Sequence, residues 1–192
     1  MSIQIGCVIM AAGRSTRFGS NKLLAPLAGK PVLAHVLDGL PRARLARTVV
    51  VTVAGKVPGI CGELPVRLNE SGLLSESVRR GIEPMAGLDG CLFVMGDQPL
   101  CSTDSILNLL DAFTREPDTV HRLAYNGVPG SPVVFPAALF PRLAALEGES
   151  SGMTAAKGSG VPVRLVPAAH EWELWDVDTP EALAKAQSIL TD

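Results

Sequence analysis

The sequence predicts an α/β fold in which a mainly parallel sheet is covered by helices on both faces. Short apolar runs rich in β-branched residues alternate along the chain with segments of helical periodicity. These runs are apolar throughout, which is typical of strands buried on both faces and therefore of parallel sheets. The predicted strands are residues 3–10, 48–54, 65–69, 91–95, 132–136 and 162–167.

Four helices are predicted between and after these strands. In residues 31–40, apolar side chains recur at helical spacing behind Pro31, which suits the first turn of a helix. Residues 102–115 repeat this pattern behind a Ser-Thr-Asp start that favours a helix N-terminus. The remaining predicted helices are residues 137–147 and 179–190.

Residues 118–136 predict a departure from this alternation. Two β-like runs flank Asn126-Gly127 and Pro129-Gly130, and such dipeptides are typical of tight turns. We therefore expect a small antiparallel excursion in an otherwise parallel sheet. The sequence contains no linker, low-complexity tract or internal repeat, which favours one domain spanning residues 1–192.

The composition excludes several classes of function. The 192 residues are 47% hydrophobic and carry a formal net charge of −2, so the chain can bury a core but offers no basic surface for nucleic acid. No apolar stretch reaches the roughly 18–20 residues that cross a membrane. The four cysteines form no Cys-x-x-Cys motif, which favours a reducing compartment. We expect a cytoplasmic protein that binds neither nucleic acid nor membrane and handles a small phosphorylated ligand.

The first predicted strand ends in a loop suited to phosphate binding. Ala11-Ala12-Gly13 lets the backbone approach a ligand closely. Arg17 and Lys22 can donate charge-assisted hydrogen bonds to a polyphosphate. The spacing matches neither a P-loop nor the Gly-x-Gly-x-x-Gly dinucleotide motif. A strand-to-helix turn with solvated basic residues is the alternative interpretation.

Two later segments supply carboxylates. Gly96-Asp97-Gln98-Pro99 ends an apolar run, so Asp97 is expected at the carboxyl edge of the sheet, as a magnesium ligand or as an ordinary turn residue. In residues 174–183, Asp176 and Asp178 lie in a segment predicted to be extended, and we expect them not to face one side. Asp178 is a candidate second metal ligand, but it also fits the N-cap of the helix that follows.

Together these segments resemble the MobA-like nucleotidyltransferase family, most closely its molybdopterin cytidylyltransferase branch. The signature Leu/Met-Ala-Ala-Gly-x-Ser-x-Arg-Phe/Met-Gly-x-x-Lys stands at residues 10–22. The other family elements follow in order as "NESGLLSESVRRG" (69–81), "GDQP" (96–99), "GSPVVF" (130–135) and "DVDTPEAL" (176–183). The resemblance covers essentially the whole chain and implies a Rossmann-like nucleotidyltransferase fold.

The resemblance also implies roles for individual residues. Arg17 and Lys22 would bind the triphosphate of a nucleoside triphosphate, with CTP favoured, and Asp97 with Asp178 would bind Mg²⁺. Arg17, Lys22 and Asp97 are therefore the implied catalytic residues. The other implied nucleotide contacts are the backbone at Ala11, Ala12 and Gly13, and the base and ribose side at Asn69, Gly72, Ser75 and Ser77.

The acceptor side departs from the family pattern. The chain has Gly130-Ser131-Pro132 where the branch often has Gly-His-Pro, and residues 148–158, "GESSGMTAAKG", stand in place of Gly-Asp-x-Gly-Ala-Arg. Glu149 replaces the acid, and no arginine matches. The implied acceptor is a phosphate-bearing small molecule, molybdopterin by resemblance, whose product would pass to a molybdoenzyme.

The implied reaction is attack of an acceptor phosphate on the α-phosphorus of a magnesium-bound nucleotide, with release of pyrophosphate. Catalysis would consist of alignment and charge neutralisation, because a phosphate monoester is already nucleophilic near neutral pH. Three alternatives stay open. These are transfer to another acceptor (guanylyl transfer to molybdopterin, or a sugar phosphate), a non-catalytic nucleotide-binding accessory protein, and a Rossmann oxidoreductase, which the missing glycine motif disfavours.

Overall fold

The computed structural model of the protein describes residues 2–13, 15, 17–57 and 59–191. The strands are β1 (Ile5–Ala11), β2 (Pro26–Leu27), β3 (Lys30–Pro31), β4 (Arg47–Thr52), β5 (Val66–Leu68), β6 (Gly90–Met95), β7 (Val120–Tyr125), β8 (Val128–Pro136) and β9 (Val163–Pro167). The α-helices are α1 (Val32–Asp38), α2 (Leu74–Ile82), α3 (Thr103–Arg115), α4 (Phe140–Ala144), α5 (Gly152–Ala156) and α6 (Pro180–Thr191).

A mainly parallel sheet forms the centre of the molecule. Within the described residues it has seven strands in the order β5-β4-β1-β6-β8-β7-β9, and β2 pairs with β3 in a separate small ribbon. Strand β8 is antiparallel to β6 and to β7, whereas the other pairings in the sheet are parallel. The predicted mostly parallel sheet and its antiparallel excursion are therefore confirmed.

The excursion is the hairpin of β7 and β8. Tyr125 pairs with Val128, so the connecting turn is the two residues Asn126 and Gly127. Both adopt positive φ angles, 48° and 80°. Two-residue hairpin turns with positive φ at both positions match the twist of the strands, which is why Asn-Gly is the preferred sequence there.

Helices cover both faces of the sheet, and the core lies in two layers between them. Alternate side chains of β1 point to opposite layers, with Cys7 and Ile9 in one and Val8 and Met10 in the other. The first layer includes buried residues of α1 and α3, and the second those of α2, α4 and α5. A smaller apolar cluster lies between the β2–β3 ribbon and α6. No described helix combines the length and apolar character needed to cross a membrane.

Helix α2 was not predicted, and Gly81 explains why. The segment has few apolar residues and contains a glycine, which is a poor helix former. A Cβ at Gly81 would lie 2.5 Å from Cγ1 of Val8 on β1. The helix therefore approaches the sheet more closely than any residue with a side chain permits, and tertiary packing compensates for its weak intrinsic propensity.

We predict that Gly81→Ala lowers the free energy of unfolding by about 1–2 kcal/mol, because overpacking costs more than the gain in helix propensity. Urea denaturation would measure the change. In a Val8→Ala background the two Cγ contacts are removed and only a Cβ contact of 3.3 Å is left, so the same substitution should destabilise much less. Equal or higher stability of Gly81→Ala in the wild-type background would contradict this account of the contact.

Candidate active site

The carboxyl ends of β1 and β6 lie side by side and bring two of the predicted motifs together. Met10 pairs with Met95, and the Gly96 N–H donates to the Met10 carbonyl at 3.0 Å. A Cβ on Gly96 would lie 3.1 Å from that carbonyl oxygen, so a glycine suits this close approach. The loop after β1 and the carboxylate of Asp97 therefore share one edge of the sheet, where ligands bind in such folds.

A buried lysine connects this edge to the C-terminal segment. The Lys22 side chain is only 7% exposed, and its ammonium group forms ion pairs with Asp97 and with Asp178, the latter at 2.5 Å. Arg17, whose side chain is largely exposed, contacts the second oxygen of Asp178 at 2.5 Å. Four of the predicted site residues thus form one cluster of two cations and two carboxylates.

The cluster shifts the ionisation of its own members. Burial disfavours the charged form of Lys22, but Asp97 and Asp178 together hold its pKa above the ordinary value. Burial likewise opposes ionisation of Asp178, yet its hydrogen bond to Lys22 and the charges of Lys22 and Arg17 keep its pKa below the ordinary value. Both shifts favour the charged forms of Lys22 and Asp178, which a charged ligand could then attract.

Short backbone contacts place Asp178 in the site. The Val177 N–H donates to the carbonyl of Asp97 at 2.8 Å, which fixes this segment to the end of β6. The Asp178 N–H donates to the Asp176 carbonyl at 3.1 Å, so the backbone turns here. The expectation that Asp176 and Asp178 face opposite sides is wrong, because residues two apart in an extended segment share one face. Both line one cavity of about 450 Å³ beside α6.

The N-cap of α6 is Thr179 and not Asp178. The Thr179 hydroxyl accepts from the Ala182 N–H at 3.2 Å, and the Thr179 carbonyl accepts from the Leu183 N–H at 3.0 Å. The capping interpretation of Asp178 is therefore wrong, and its carboxylate is engaged with Lys22 and Arg17 instead.

Asp176 is a third carboxylate near the cluster. Partial burial, followed by the negative charges of Asp97 and Asp178, raises the pKa of Asp176 to about 6. Its protonation state is set by the same charges that surround Lys22.

Glu173 anchors the segment that carries Asp176 and Asp178. It is fully buried and accepts four hydrogen bonds, from the N–H and hydroxyl of Ser102 (3.0 and 2.7 Å) and from the N–H groups of Ala169 and His170 (2.9 and 3.1 Å). Burial opposes its ionisation, but these hydrogen bonds, those of Ser102 foremost, hold its pKa below the ordinary value of 4.5. Glu173 is a positioning residue that the motifs did not reveal.

Two cavities on the other flank of the loop are lined in part by residues of the predicted base and ribose side. A cavity of about 760 Å³ is lined by Ala12, Ser15, Ser20, Asn21, Val53, Ala54, Lys56, Leu68, Asn69, Glu70, Ser71 and Gly72. A neighbouring cavity of about 330 Å³ is lined by Ala12, Gly13, Asn69, Gly72, Leu74, Ser77 and Glu149. The structure therefore brings the Ala-Ala-Gly loop and the 69–81 element together.

Asn69 shapes this flank through its own hydrogen bonds. Its amide Nδ2 donates to the Leu73 carbonyl at 2.8 Å and to the Ser77 hydroxyl at 2.7 Å, while Oδ1 accepts from the Gly72 N–H at 2.7 Å. Gly72 has a φ of +75°, which a glycine adopts readily. Ser75 is fully buried and lines neither cavity.

Several site residues fall outside the predicted set. Lys56 and Asn21 line the larger cavity, and Asn21 Nδ2 donates to the Lys56 carbonyl. Glu149 lines the smaller cavity and accepts from the N–H of Leu74, the first residue of α2, at 3.3 Å. The sequence carries no spacing signal for Lys56, because it meets the loop only through the fold. Arg14 and Thr16 of the predicted loop lie outside the described residues.

The chemistry of the cluster fits a divalent cation. Oδ1 of Asp97 is buried and has no hydrogen-bond partner among the described residues. An unpaired buried carboxylate oxygen is costly and is a good ligand for a hard cation. No group of three or more His, Cys, Asp or Glu side chains in the described part of the chain is arranged to hold a metal. Magnesium carried by phosphates is usually held by one or two carboxylates, as Asp97 and Asp178 could provide.

Comparison with known proteins identifies the family. The model of the MobA-like NTP transferase domain matches residues 7–163. The chain is 36% identical over 111 residues to the bifunctional protein GlmU of Rhodospirillum rubrum, covering 55% of this chain and 25% of that protein. It is 37% identical over 122 residues to the 2-C-methyl-D-erythritol 4-phosphate cytidylyltransferase of Cereibacter sphaeroides, covering 57% and 54%. The chain therefore spans only part of these two relatives.

Other similarities extend over nearly the whole chain. The purine catabolism protein PucB of Bacillus subtilis is 30% identical over 190 residues, which is 91% of each protein. A nucleotidyl transferase from Methanothermobacter thermautotroptrophicus superimposes with a TM-score of 0.80 at 25% identity, covering 98% of this chain and 99% of that one. The predicted nucleotidyltransferase fold is confirmed.

We predict that Glu173→Gln lowers the free energy of unfolding by about 1–3 kcal/mol at neutral pH, because a buried array of four donors loses its charged acceptor. The folded-state pKa of Glu173 is depressed, so its contribution is complete above about pH 4.5 and is lost as the pH falls through the lower folded-state value. Urea denaturation at pH 7 and at lower pH should therefore show the two proteins converging in acid. A stability difference that does not change with pH would contradict the role of the charge.

Proposed function

Because the chain belongs to the MobA-like NTP transferase domain family, we propose that it is a magnesium-dependent nucleotidyltransferase that moves CMP from CTP to the phosphate of molybdopterin. The product would then pass to a molybdoenzyme. One observation carries the catalytic part of this proposal. Lys22, Asp97 and Asp178 converge at the end of the sheet beside the Ala-Ala-Gly loop, where a triphosphate and a cation can be held together.

The residues of the cluster suit phosphoryl chemistry without a protein nucleophile. Lys22 and Arg17 would bind oxygens of the phosphate chain and stabilise the negative charge that develops on the departing pyrophosphate. The backbone of Ala12 and Gly13 lines the cavity beside them and allows the nucleotide to approach closely. Aligning the acceptor phosphate opposite the leaving pyrophosphate supplies the rest of the rate acceleration.

Asp97 and Asp178 would hold the metal ion. The buried, unpartnered Oδ1 of Asp97 supports this assignment, as does the position of Asp178 across the same ammonium group. When bound, Mg²⁺ would neutralise phosphate charge and polarise the α-phosphate. Asp97 and Asp178 would then bind the metal, and the Lys22 ammonium group would donate its hydrogen bonds to the phosphates instead. The same three residues would therefore bind both the metal and the nucleotide.

The finer assignments rest on particular residues. The form Ala11-Ala12-Gly13 resembles the CTP-using branch, and a relative that matches 57% of the chain is a cytidylyltransferase. For the acceptor we favour the cavity that Gly13 and Glu149 line, since the 148–158 loop stands on the acceptor side of the resemblance. Transfer of GMP to molybdopterin or of a nucleotide to a sugar phosphate would use the same catalytic cluster with a different acceptor.

Product analysis tests this proposal. The protein would be incubated with Mg²⁺, each of CTP, GTP, ATP and UTP, and either molybdopterin or a set of sugar 1-phosphates, with pyrophosphate release and product mass as readouts. We expect pyrophosphate release only from the combination of CTP with molybdopterin. Pyrophosphate release with GTP or with a sugar phosphate would change the assigned base or acceptor, but would still show nucleotidyl transfer. Nucleotide binding without pyrophosphate release from any pair would favour the accessory-protein alternative.

We predict that Asp97→Asn lowers kcat by about 10²–10³-fold, since it removes a charge that would hold the metal in the transition state. Asp111→Asn is the matched control, because Asp111, which lies on α3, forms an exposed ion pair with Arg44. It should leave kcat within about twofold, as exposed pairs contribute little. Turnover of Asp97→Asn within a few-fold of wild type, with the fold intact by circular dichroism, would refute the metal assignment.

A further inference from the structure

The cations of the predicted motif are already neutralised in the protein. Lys22 shares its charge with Asp97 and Asp178, and Arg17 contacts Asp178. Two cations and two carboxylates leave this cluster without net charge. A triphosphate carries about four negative charges near neutral pH, and one divalent cation offsets only two of them. An additional unpaired cation beside the site would therefore contribute strongly to binding.

We infer that Lys56 is that cation and that it binds the phosphates beyond the α-phosphate of a bound nucleoside triphosphate. The inference rests on the proposed nucleotide-transferring function and adds a residue that belongs to none of the sequence motifs. Lys56 lines the 760 Å³ cavity together with Ser15, Ser20 and Asn21, all from the loop that precedes Lys22.

The backbone holds Lys56 against that loop. The Lys56 N–H donates to the Val53 carbonyl at 3.2 Å, closing a turn after β4 in which Gly55 has a φ of +69°. Val57 is buried in the core on the other side of this turn. Asn21 Nδ2 donates to the Lys56 carbonyl, which ties the turn to the residue immediately before Lys22. The burial of Val57 and the hydrogen bond from Asn21 therefore fix the backbone position of Lys56.

Lys56 differs from Lys22 in its charge partners. Within the described part of the chain, its ammonium group has no carboxylate within 4.0 Å, and its side chain is half-buried. Glu70, at the rim of the same cavity, is exposed and makes no ion pair with it. Burial and the nearby positive charge of Lys22 lower the pKa of Lys56, against the opposite influence of Asp97. An anion held between the two ammonium groups would relieve their repulsion.

The test compares nucleotides that differ only in phosphate number. Calorimetry would measure the affinity of wild type and Lys56→Gln for CTP and CMP, with Mg²⁺ and no acceptor. We expect the substitution to weaken CTP binding by about 10- to 100-fold, the loss that follows removal of one charge-assisted hydrogen bond. CMP binding should change by less than about twofold. Lys56→Arg keeps the charge and should retain most of the CTP affinity.

Lys30→Gln is the matched control, because it removes one positive charge from an exposed ion pair with Asp38 away from the cavity. It should leave the CTP affinity unchanged. Unaltered CTP binding by Lys56→Gln, or an equal loss for CTP and CMP, would overturn the assignment of Lys56. Failure of the wild-type protein to bind any nucleotide would instead overturn the proposed function together with this inference. Thermal unfolding of each variant would show that it is folded.

Discussion

The ammonium group of Lys22 holds the site together. It is buried, and it is neutralised by carboxylates from two distant parts of the chain, Asp97 after β6 and Asp178 before α6. Removing one partner of such a pair leaves an uncompensated buried charge, which costs about 3–5 kcal/mol. The ion pairs of Lys22 therefore hold together the loop after β1, the edge of the sheet and the C-terminal segment.

The ion pairs of Lys22 also bear on the proposed chemistry. A phosphate chain that attracts Lys22 would leave Asp97 and Asp178 without a counter-charge, and a divalent cation would restore it. We therefore expect nucleotide and metal to bind together, because Lys22 pairs with the phosphates only when the cation replaces it on the carboxylates. Glu173 and Asn69 support the site from either side. The hydrogen bonds of Glu173 fix the segment that carries Asp178, and those of Asn69 fix a segment that lines the 760 Å³ cavity.

Local patterns predicted much of this molecule and missed parts for identifiable reasons. Strand β6 and the Asn126-Gly127 hairpin follow from apolar runs and turn chemistry. Helix α2 escaped prediction because its stability comes from the contact of Gly81 with β1. Asp176 was wrongly expected to face away from Asp178, although residues two apart in an extended segment share one face, and both line one cavity.

The sequence by itself determined the alternation of most strands with helices, the loop of small and basic residues after the first strand, and the resemblance to a family to which the chain belongs. These are properties of neighbouring residues, and neighbouring residues set backbone preference and burial pattern. Only the tertiary structure decided that Lys22 is shared between Asp97 and Asp178, and that Lys56 lines the same cavity as the opening loop. Such pairings join residues far apart in the chain, and their geometry exists only once the sheet has brought the strand ends together.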